Sequence, residues 1–532
     1  MKTMKTTNLN IGKNRKKLVQ QLLVIIFFGS INLMMAQAPA IEWQRTYGGT
    51  GPDTAFEITS TNDGGYFIVG NSNTDNNGDV TGNQGFNDFW VVKTSSVGAI
   101  QWQKSLGGTD QDYGQSGSQT TDGGYIVAGY TGSNDGDVSG NNGTIDFWVV
   151  KLDGSGNIEW QNALGGSDHD YAREVRQTAD GGYIVVGFTY STNGDVIGNH
   201  GDADYWVVKL DASGNLQGQK TLGGTFGDEG DSIQQTADGG YIVAGHSFSS
   251  DGDISSGNQG LRDYWIVKLD SSGNIQWENS MGGSATEYAQ SVMPTSDGGY
   301  IVGGETSSND GDVTGHQGSS DYWVVKLNST GTAEWQKTFG GSLNDEGNDI
   351  VQDIDGGYLI AGRSGSNDGD VTGNHGSPDF WVVKLNASGS LIWQKSLGGS
   401  SDDSAESIQL TPDGGFILVG YTGSSNGDVT GNHGFLDYWV VKLSGNLGIT
   451  EFNQNINLVL YPNPAKEQLT IVGDAPFIYG RISDALGRRI ETLEFSNDFT
   501  NVLDISRLKA GFYFLEVQTA ENIKAVKSFI KN

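Results

Sequence analysis

The chain has no cysteine among its 532 residues. Disulfides, thiolate nucleophiles and Cys-ligated zinc are excluded. Proline is scarce, at 8 residues, and histidine scarcer, at 6. The histidines do not suggest one site: His200, His375 and His433 share a loop position in different repeats, His316 sits beside it, and His169 and His246 are scattered. Basic residues are few, 31 against 63 acids, for a net charge of −32. A surface so acidic repels nucleic acid and anionic lipid, so neither is expected as a partner. No Gly-x-Ser-x-Gly elbow occurs, and the glycine pairs do not open helices, so neither a serine nucleophile nor a phosphate cradle is indicated. No catalytic residue is assigned.

Long apolar runs are also missing, except at the start. Lys13, Arg15, Lys16 and Lys17 precede "LVQQLLVIIFFGSINLMMA", and Ala36 to Ala38 offer small residues for cleavage. Residues 1–38 therefore read as a signal peptide. No other segment is long and apolar enough to cross a bilayer, so no integral span is expected in the mature protein.

Glycine is plentiful, at 82 residues, and tryptophan marks a repeat. Asp-[Phe/Tyr]-Trp recurs at Trp90, Trp148, Trp206, Trp265, Trp323, Trp381 and Trp439, in steps of 58 or 59. A second series holds Trp43, Trp102, Trp160, Trp277, Trp335 and Trp393, with Gly218 in the remaining copy. Each repeat carries four short apolar runs rich in valine, isoleucine and aromatics, separated by turn residues. Four antiparallel strands, seven times over, predict a seven-bladed β-propeller. The last repeat lacks its fourth strand, and "IEWQRT" (41–46) is an orphan copy of it. We expect 41–46 to complete blade seven beside 437–443, giving a propeller over 39–446 and a linker at 447–454.

The loop between the second and third strands repeats an acidic pattern, as in "SNDGDVTGNHGSPD" (366–379). A site made seven times serves every blade alike, which argues against a catalytic acid pair. Two readings stand. Counting Asp368 as position one puts Asp370 at three, Gly373 at six and Asp379 at twelve, a spacing that suits calcium. The best copies are Asp135, Asp137 and Asp146; Asp310, Asp312 and Asp321; and Asp368, Asp370 and Asp379. In the other reading these side chains bond nearby backbone amides and no cofactor is held.

Residues 455–532 break the repeat: there is no tryptophan, and nine basic residues almost balance the acids in 451–532. Alternating runs predict a small β-sandwich of about seven strands, so the class is all-β throughout.

Two resemblances follow from these motifs. "LGGSDHDYAREVRQTADGGYIVVGFTYS" (164–191) resembles the propeller repeat labelled SBBP, and the strand order is similar to the delta-60 type of bacterial repeat. This implies a fold and little about activity. The C-terminal segment resembles the type A C-terminal sorting domain of the type IX secretion system. The matching residues are Tyr461, Pro462, Asn463 and Pro464, the turn ending at Gly487, then Asp504, Gly511, Tyr513 and Lys527. That resemblance implies export by the type IX machinery, removal of the domain by a sortase-like peptidase, and a product that is surface-bound or released. The expected function is a secreted or cell-surface module that binds a glycan or a surface protein. The competing expectation is a secreted polysaccharide hydrolase or lyase with its site on the propeller axis.

Overall fold

The computed structural model describes residues 37–445, 458–484, 489–519 and 524–532. The signal peptide up to residue 36, the linker at 447–454 and Gly487 lie outside the described residues.

Seven four-stranded antiparallel sheets form the propeller. Blade one runs Asp53–Ser60, Tyr66–Ser72, Asp88–Thr94 and Ile100–Leu106, and the later blades repeat this order. The inner strands lie nearest the axis. The third strands, such as Asp146–Leu152 and Asp379–Leu385, are buried throughout. They read as continuous apolar runs because neighbouring blades cover both of their faces.

One aromatic chain joins the blades. The residue before each third-strand tryptophan packs on the tryptophan of the next blade: Phe89 on Trp148 at 4.6 Å, Tyr264 on Trp323 at 4.4 Å, Phe380 on Trp439 at 4.5 Å. Tyr438 of blade seven returns to Trp90 of blade one at 4.5 Å, and its hydroxyl donates to the Trp90 carbonyl at 2.8 Å. The ring therefore closes on the same contact that builds it. Such aromatic pairs add about 0.5–1.5 kcal/mol each beyond area burial.

The last blade is completed by Ile41–Tyr47, antiparallel to Asp437–Leu443, with Thr46 opposite Trp439. Trp439 Nε1 donates to Gln44 Oε1 at 2.9 Å, the bond that Trp90 makes to Gln103 within blade one.

The C-terminal unit is one five-stranded sheet, where a sandwich of about seven strands was expected. The difference lies in two long strands. Gln468–Asp484 and Arg489–Asp504 pair along most of their length, interrupted by an irregularity between Val472 and Phe477. Gly473 and Pro476 bend the strand there without ending it. The sheet folds over its own core of Leu469, Ile471, Phe477, Leu515 and Phe529. Ala465 bridges Lys531 on the last strand, so the sheet is nearly closed.

Candidate functional site

Every inner strand carries a β-bulge near its middle, between Ala55 and Glu57 in blade one and between Ala172 and Glu174 in blade three. A bulge re-aims consecutive side chains, and here it turns adjacent residues toward the axis. The bulged positions are Phe56, Gln115, Arg173, Asp231, Gln290, Asn348 and Glu406, and with Glu229, His246 and Tyr288 they line an axial cavity of ≈ 400 Å³.

The next residues form a tighter ring of Glu57, Ser116, Glu174, Ser232, Ser291, Asp349 and Ser407, beside a second cavity of ≈ 260 Å³. This ring staples blades together. Glu57 accepts from Gly117 N at 2.7 Å, Glu174 from Ile233 N at 2.6 Å, and Asp349 from Ile408 N at 3.0 Å. Arg176 reaches from blade three to Glu57 of blade one at 2.6 Å and to Glu174 at 2.5 Å. Burial pushes the Glu174 carboxyl up to about 7 against the pull of Arg176, and Asp349 up to about 6. The constriction is thus one guanidinium among three acids.

At the wider mouth, the second residue of each inner strand faces the sixth residue of the second strand. The seven pairs are Thr54–Asn71, Tyr113–Tyr130, Tyr171–Phe188, Glu229–His246, Tyr288–Glu305, Glu346–Arg363 and Ser404–Tyr421. No two are alike, whereas the third strands vary only between Phe and Tyr, Val and Ile, and Leu and Thr. One arc is aromatic: Tyr113 stacks on Tyr130 at 5.1 Å, Tyr130 meets Tyr171 at 4.9 Å, and Tyr171 meets Phe188 at 5.0 Å. Arg173 lies over Phe188 at 5.3 Å, and Arg262 over Phe248 at 4.4 Å and Tyr288 at 4.8 Å. The opposite arc is acidic. Burial raises Glu305 and Glu406 to about 7, and Arg363 pairs with Glu346. Nothing in the sequence marked these residues as neighbours; the available signal was that they differ between otherwise repeated blades.

The acidic loops do not gather their carboxylates in the calcium pattern. Asp135 accepts from Thr109 N at 2.8 Å, and Asp137 from Gln84 Nε2 at 2.8 Å and Gly107 N at 3.3 Å. Asp310 and Asp368 accept from Ser284 N and Ser342 N, both at 2.7 Å. Asp312 and Asp370 take Gln259 and Gln317 side chains at 2.6 and 2.9 Å. These bonds run to the preceding blade junction, so the loop ties blades together. Among the described residues no three His, Asp or Glu side chains come together as a metal centre.

The third acid of each set is buried at the start of the third strand. Asp146 and Asp321 accept from the backbone N of Asn142 and Gln317 at 2.7 and 2.6 Å, and Asp379 from His375 N and Nδ1 at 2.8 and 2.7 Å. The other oxygen of each, with its counterparts in Asp88, Asp204, Asp263 and Asp437, receives no protein hydrogen bond. Burial lifts Asp88 and Asp321 to about 7, and Asp146 and Asp379 to about 6. A side chain on Gly107 would sit 2.6 Å from both Asp88 Oδ1 and Asp112 Oδ2, so only glycine fits between these acids.

In the C-terminal sheet, Asn463 Oδ1 accepts from Ile530 N at 2.8 Å, joining the Tyr461–Pro464 turn to the last strand. Tyr513 donates to the Lys509 carbonyl at 2.9 Å and stacks on Phe529 at 5.6 Å. Asp504 accepts from Ser506 N at 2.9 Å, Gly511 opens its strand, and Lys527 lies exposed opposite Leu515.

Comparison with known proteins gives a family for this unit. Residues 459–532 match the secretion system C-terminal sorting domain. Over 306 residues the chain is 27% identical to the regulatory protein FlaEY of Caulobacter vibrioides, a match covering 51% of this chain and 31% of that one. The chain thus spans about a third of that relative's length. Among solved structures it is similar to PorZ of Porphyromonas gingivalis (12% identity, 91% of this chain and 60% of that chain, TM-score 0.38). It is also similar to the Pan2 WD40 domain of Neurospora crassa (11% identity, 74% and 89%, TM-score 0.41). The chain is a seven-bladed β-propeller ending in a type IX secretion C-terminal sorting domain at 459–532, the mark of export to the cell surface or beyond.

Proposed function

We propose that the exported propeller is a binding module and that a glycan enters its axial mouth. The observation that carries this reading is where the blades differ. Third strands and turns are nearly copied from blade to blade, while the seven mouth pairs are all different. A rigid scaffold with a varied rim is the arrangement that recognition requires. The aromatic arc of Tyr113, Tyr130 and Tyr171 offers faces for sugar rings. Arg173, Asp231, Asn348 and Glu406 supply the few directed polar groups that fix orientation. In this proposal a sortase-like peptidase removes the sorting domain after the type IX machinery has exported the chain.

The test is a glycan array probed with the chain from residue 38 onward, followed by titration of any hit against Tyr171→Ala and Arg173→Ala. Loss of affinity by tenfold or more in both is expected of rim anchors. Binding that both variants retain would move the site away from the mouth.

One observation favours a hydrolase or lyase as second reading: Glu305 and Glu406 hold carboxyls near neutrality at this mouth. That is the property a general acid needs. Release of oligosaccharide from a bound polysaccharide, abolished by Glu406→Gln, would support it over simple binding.

A further inference from the structure

The third blade lacks one side chain that its sisters share. In six blades a tryptophan stands opposite the lysine of the third strand, as Trp102 does opposite Lys93 and Trp277 opposite Lys268. Its indole packs on the first aromatic residue of the next blade's second strand: Trp43 on Tyr66 at 6.0 Å, Trp160 on Tyr183 at 5.7 Å, Trp335 on Tyr358 at 5.8 Å. It also covers a turn glycine of the next blade. A Cβ on Gly214 would meet the Trp160 ring at 2.7 Å, and one on Gly331 the Trp277 ring at 2.7 Å.

At the equivalent register, Lys209 faces Gly218. A Cβ on Gly273 would meet nothing nearer than Lys220 Cβ at 4.0 Å, and one on Gly218 nothing at all. Lys209 is 19% exposed, against 2–6% for its six counterparts. A cavity of ≈ 480 Å³ occupies the place of the indole, lined by Val207, Lys209, Gly218, Tyr241, Leu269 and Gly273. The hairpin turns beside it lie at the end of the blade away from the axial mouth, so this cavity is separate from the site proposed above.

We infer that this notch binds one aromatic ring of indole size, presented by a ligand from solvent. The six sister blades are the argument. The same fold holds an indole in this place six times, five of them against a tyrosine and a turn glycine and once, at Trp393, against Phe416, and here the walls remain while the ring does not come from the chain. The seat is preformed and lined both by apolar side chains and by polar ones such as Asp180, Gln217 and Gln235, the make-up of a small-ligand site. The ring could belong to a free small aromatic molecule or to an aromatic side chain of a polypeptide; the chemistry of the seat is common to both.

The test uses the full chain from residue 38 and 5-fluoroindole, observed by fluorine NMR. Saturable binding at one site per chain is expected. Gly218→Trp should abolish it and raise the melting temperature by itself. Trp102→Gly should build a second notch and take the stoichiometry from one to two. A strand-forming peptide with a central tryptophan, competing against the probe, separates the sources: stronger competition than by free indole points to a polypeptide side chain, equal or weaker competition to a free molecule. Either result supports the seat. The inference is overturned if the chain binds no probe while Trp102→Gly binds one, or if Gly218→Trp binds as well as the parent. It is overturned equally if neither the parent nor Trp102→Gly binds.

Discussion

Removing Trp43 tests how the ring is closed. Its strand, Ile41–Tyr47, is the only part of blade seven that does not come from the end of the repeat array. Trp43 is half-buried, 6.0 Å from Tyr66 of blade one, and a Cβ on Gly98 would meet its ring at 2.9 Å. A fully buried Trp→Ala change costs about 3–5 kcal/mol, and partial exposure brings this to roughly 2. With about 2.1 cal/mol/K of unfolding entropy per residue, a unit of about 400 residues has about 0.8 kcal/mol/K, so Trp43→Ala should lower Tm by about 2–3 °C. Deleting 38–47 should do much more. It removes the buried Tyr47, the Gln44 bond to Trp439 and the whole ladder along Asp437–Leu443. The combined loss is on the order of 5 kcal/mol or above, at least ~6 °C, and it leaves an unpaired edge that favours association. Differential scanning calorimetry gives Tm, and size-exclusion chromatography reports the association. A deletion variant that melts with the parent and stays monomeric would refute the closure argument.

Three further outcomes are expected. Deleting 459–532 should leave the propeller folded and hold it in the periplasm; normal appearance at the surface, followed by fractionation and immunoblotting, would overturn the sorting role. Stability should rise as pH falls from 8 to about 5. Asp88 and Asp321 near 7, and Asp146, Asp204, Asp263 and Asp379 near 6, lie above the unfolded value of about 3.8, so the folded state holds protons that the unfolded state releases. That contribution is complete below pH 3.8 and is lost as pH rises through 6 to 7. Asp180 and Asp238, held at about 2 by hydrogen bonds from Thr178 and Thr236 and by their lysines, act oppositely and only below pH 4. A Tm that climbs between pH 5 and 8 would contradict this, and Asp321→Asn should flatten the profile. Finally, EDTA should leave Tm unchanged, because the loop acids already hold donors from the preceding blade. A Tm that rises with calcium, and rises less in an Asp310→Asn, Asp312→Asn variant, would favour the calcium reading instead.

The repeat was legible because tryptophan is rare and its spacing regular. Counting the second tryptophan series was enough to assign 41–46 to the last blade. The acidic loop left two readings open because its spacing of 1, 3 and 12 suits a metal as well as a bonded turn; in the structure Asp135 accepts from Thr109, 26 residues earlier. Sequence does not encode which way a loop carboxylate leans when donors stand on both sides. The axial mouth was illegible for a different reason. A bulge aims two consecutive residues, such as Arg173 and Glu174, toward one axis, and an alternating pattern places them on opposite faces. Arg176, whose place in the alternation says nothing of the axis, bonds two glutamates at the constriction. In the sorting domain the strand through Gly473 and Pro476 bends without ending, so one long strand stands where alternation alone allows two short ones.

The aromatic chain that runs from Phe89 to Tyr438 and back to Trp90 has no first or last link. The seam between Ile41–Tyr47 and Asp437–Leu443 joins segments almost 400 residues apart, so it carries the longest loop-closure entropy in the ring and is expected to form late. Until it forms, blade seven displays a bare edge, and the strand that fits it is present on every other copy of the chain. Concentrated, unclosed chains should therefore exchange N-terminal strands and appear as dimers with native blades, while dilute chains close on themselves.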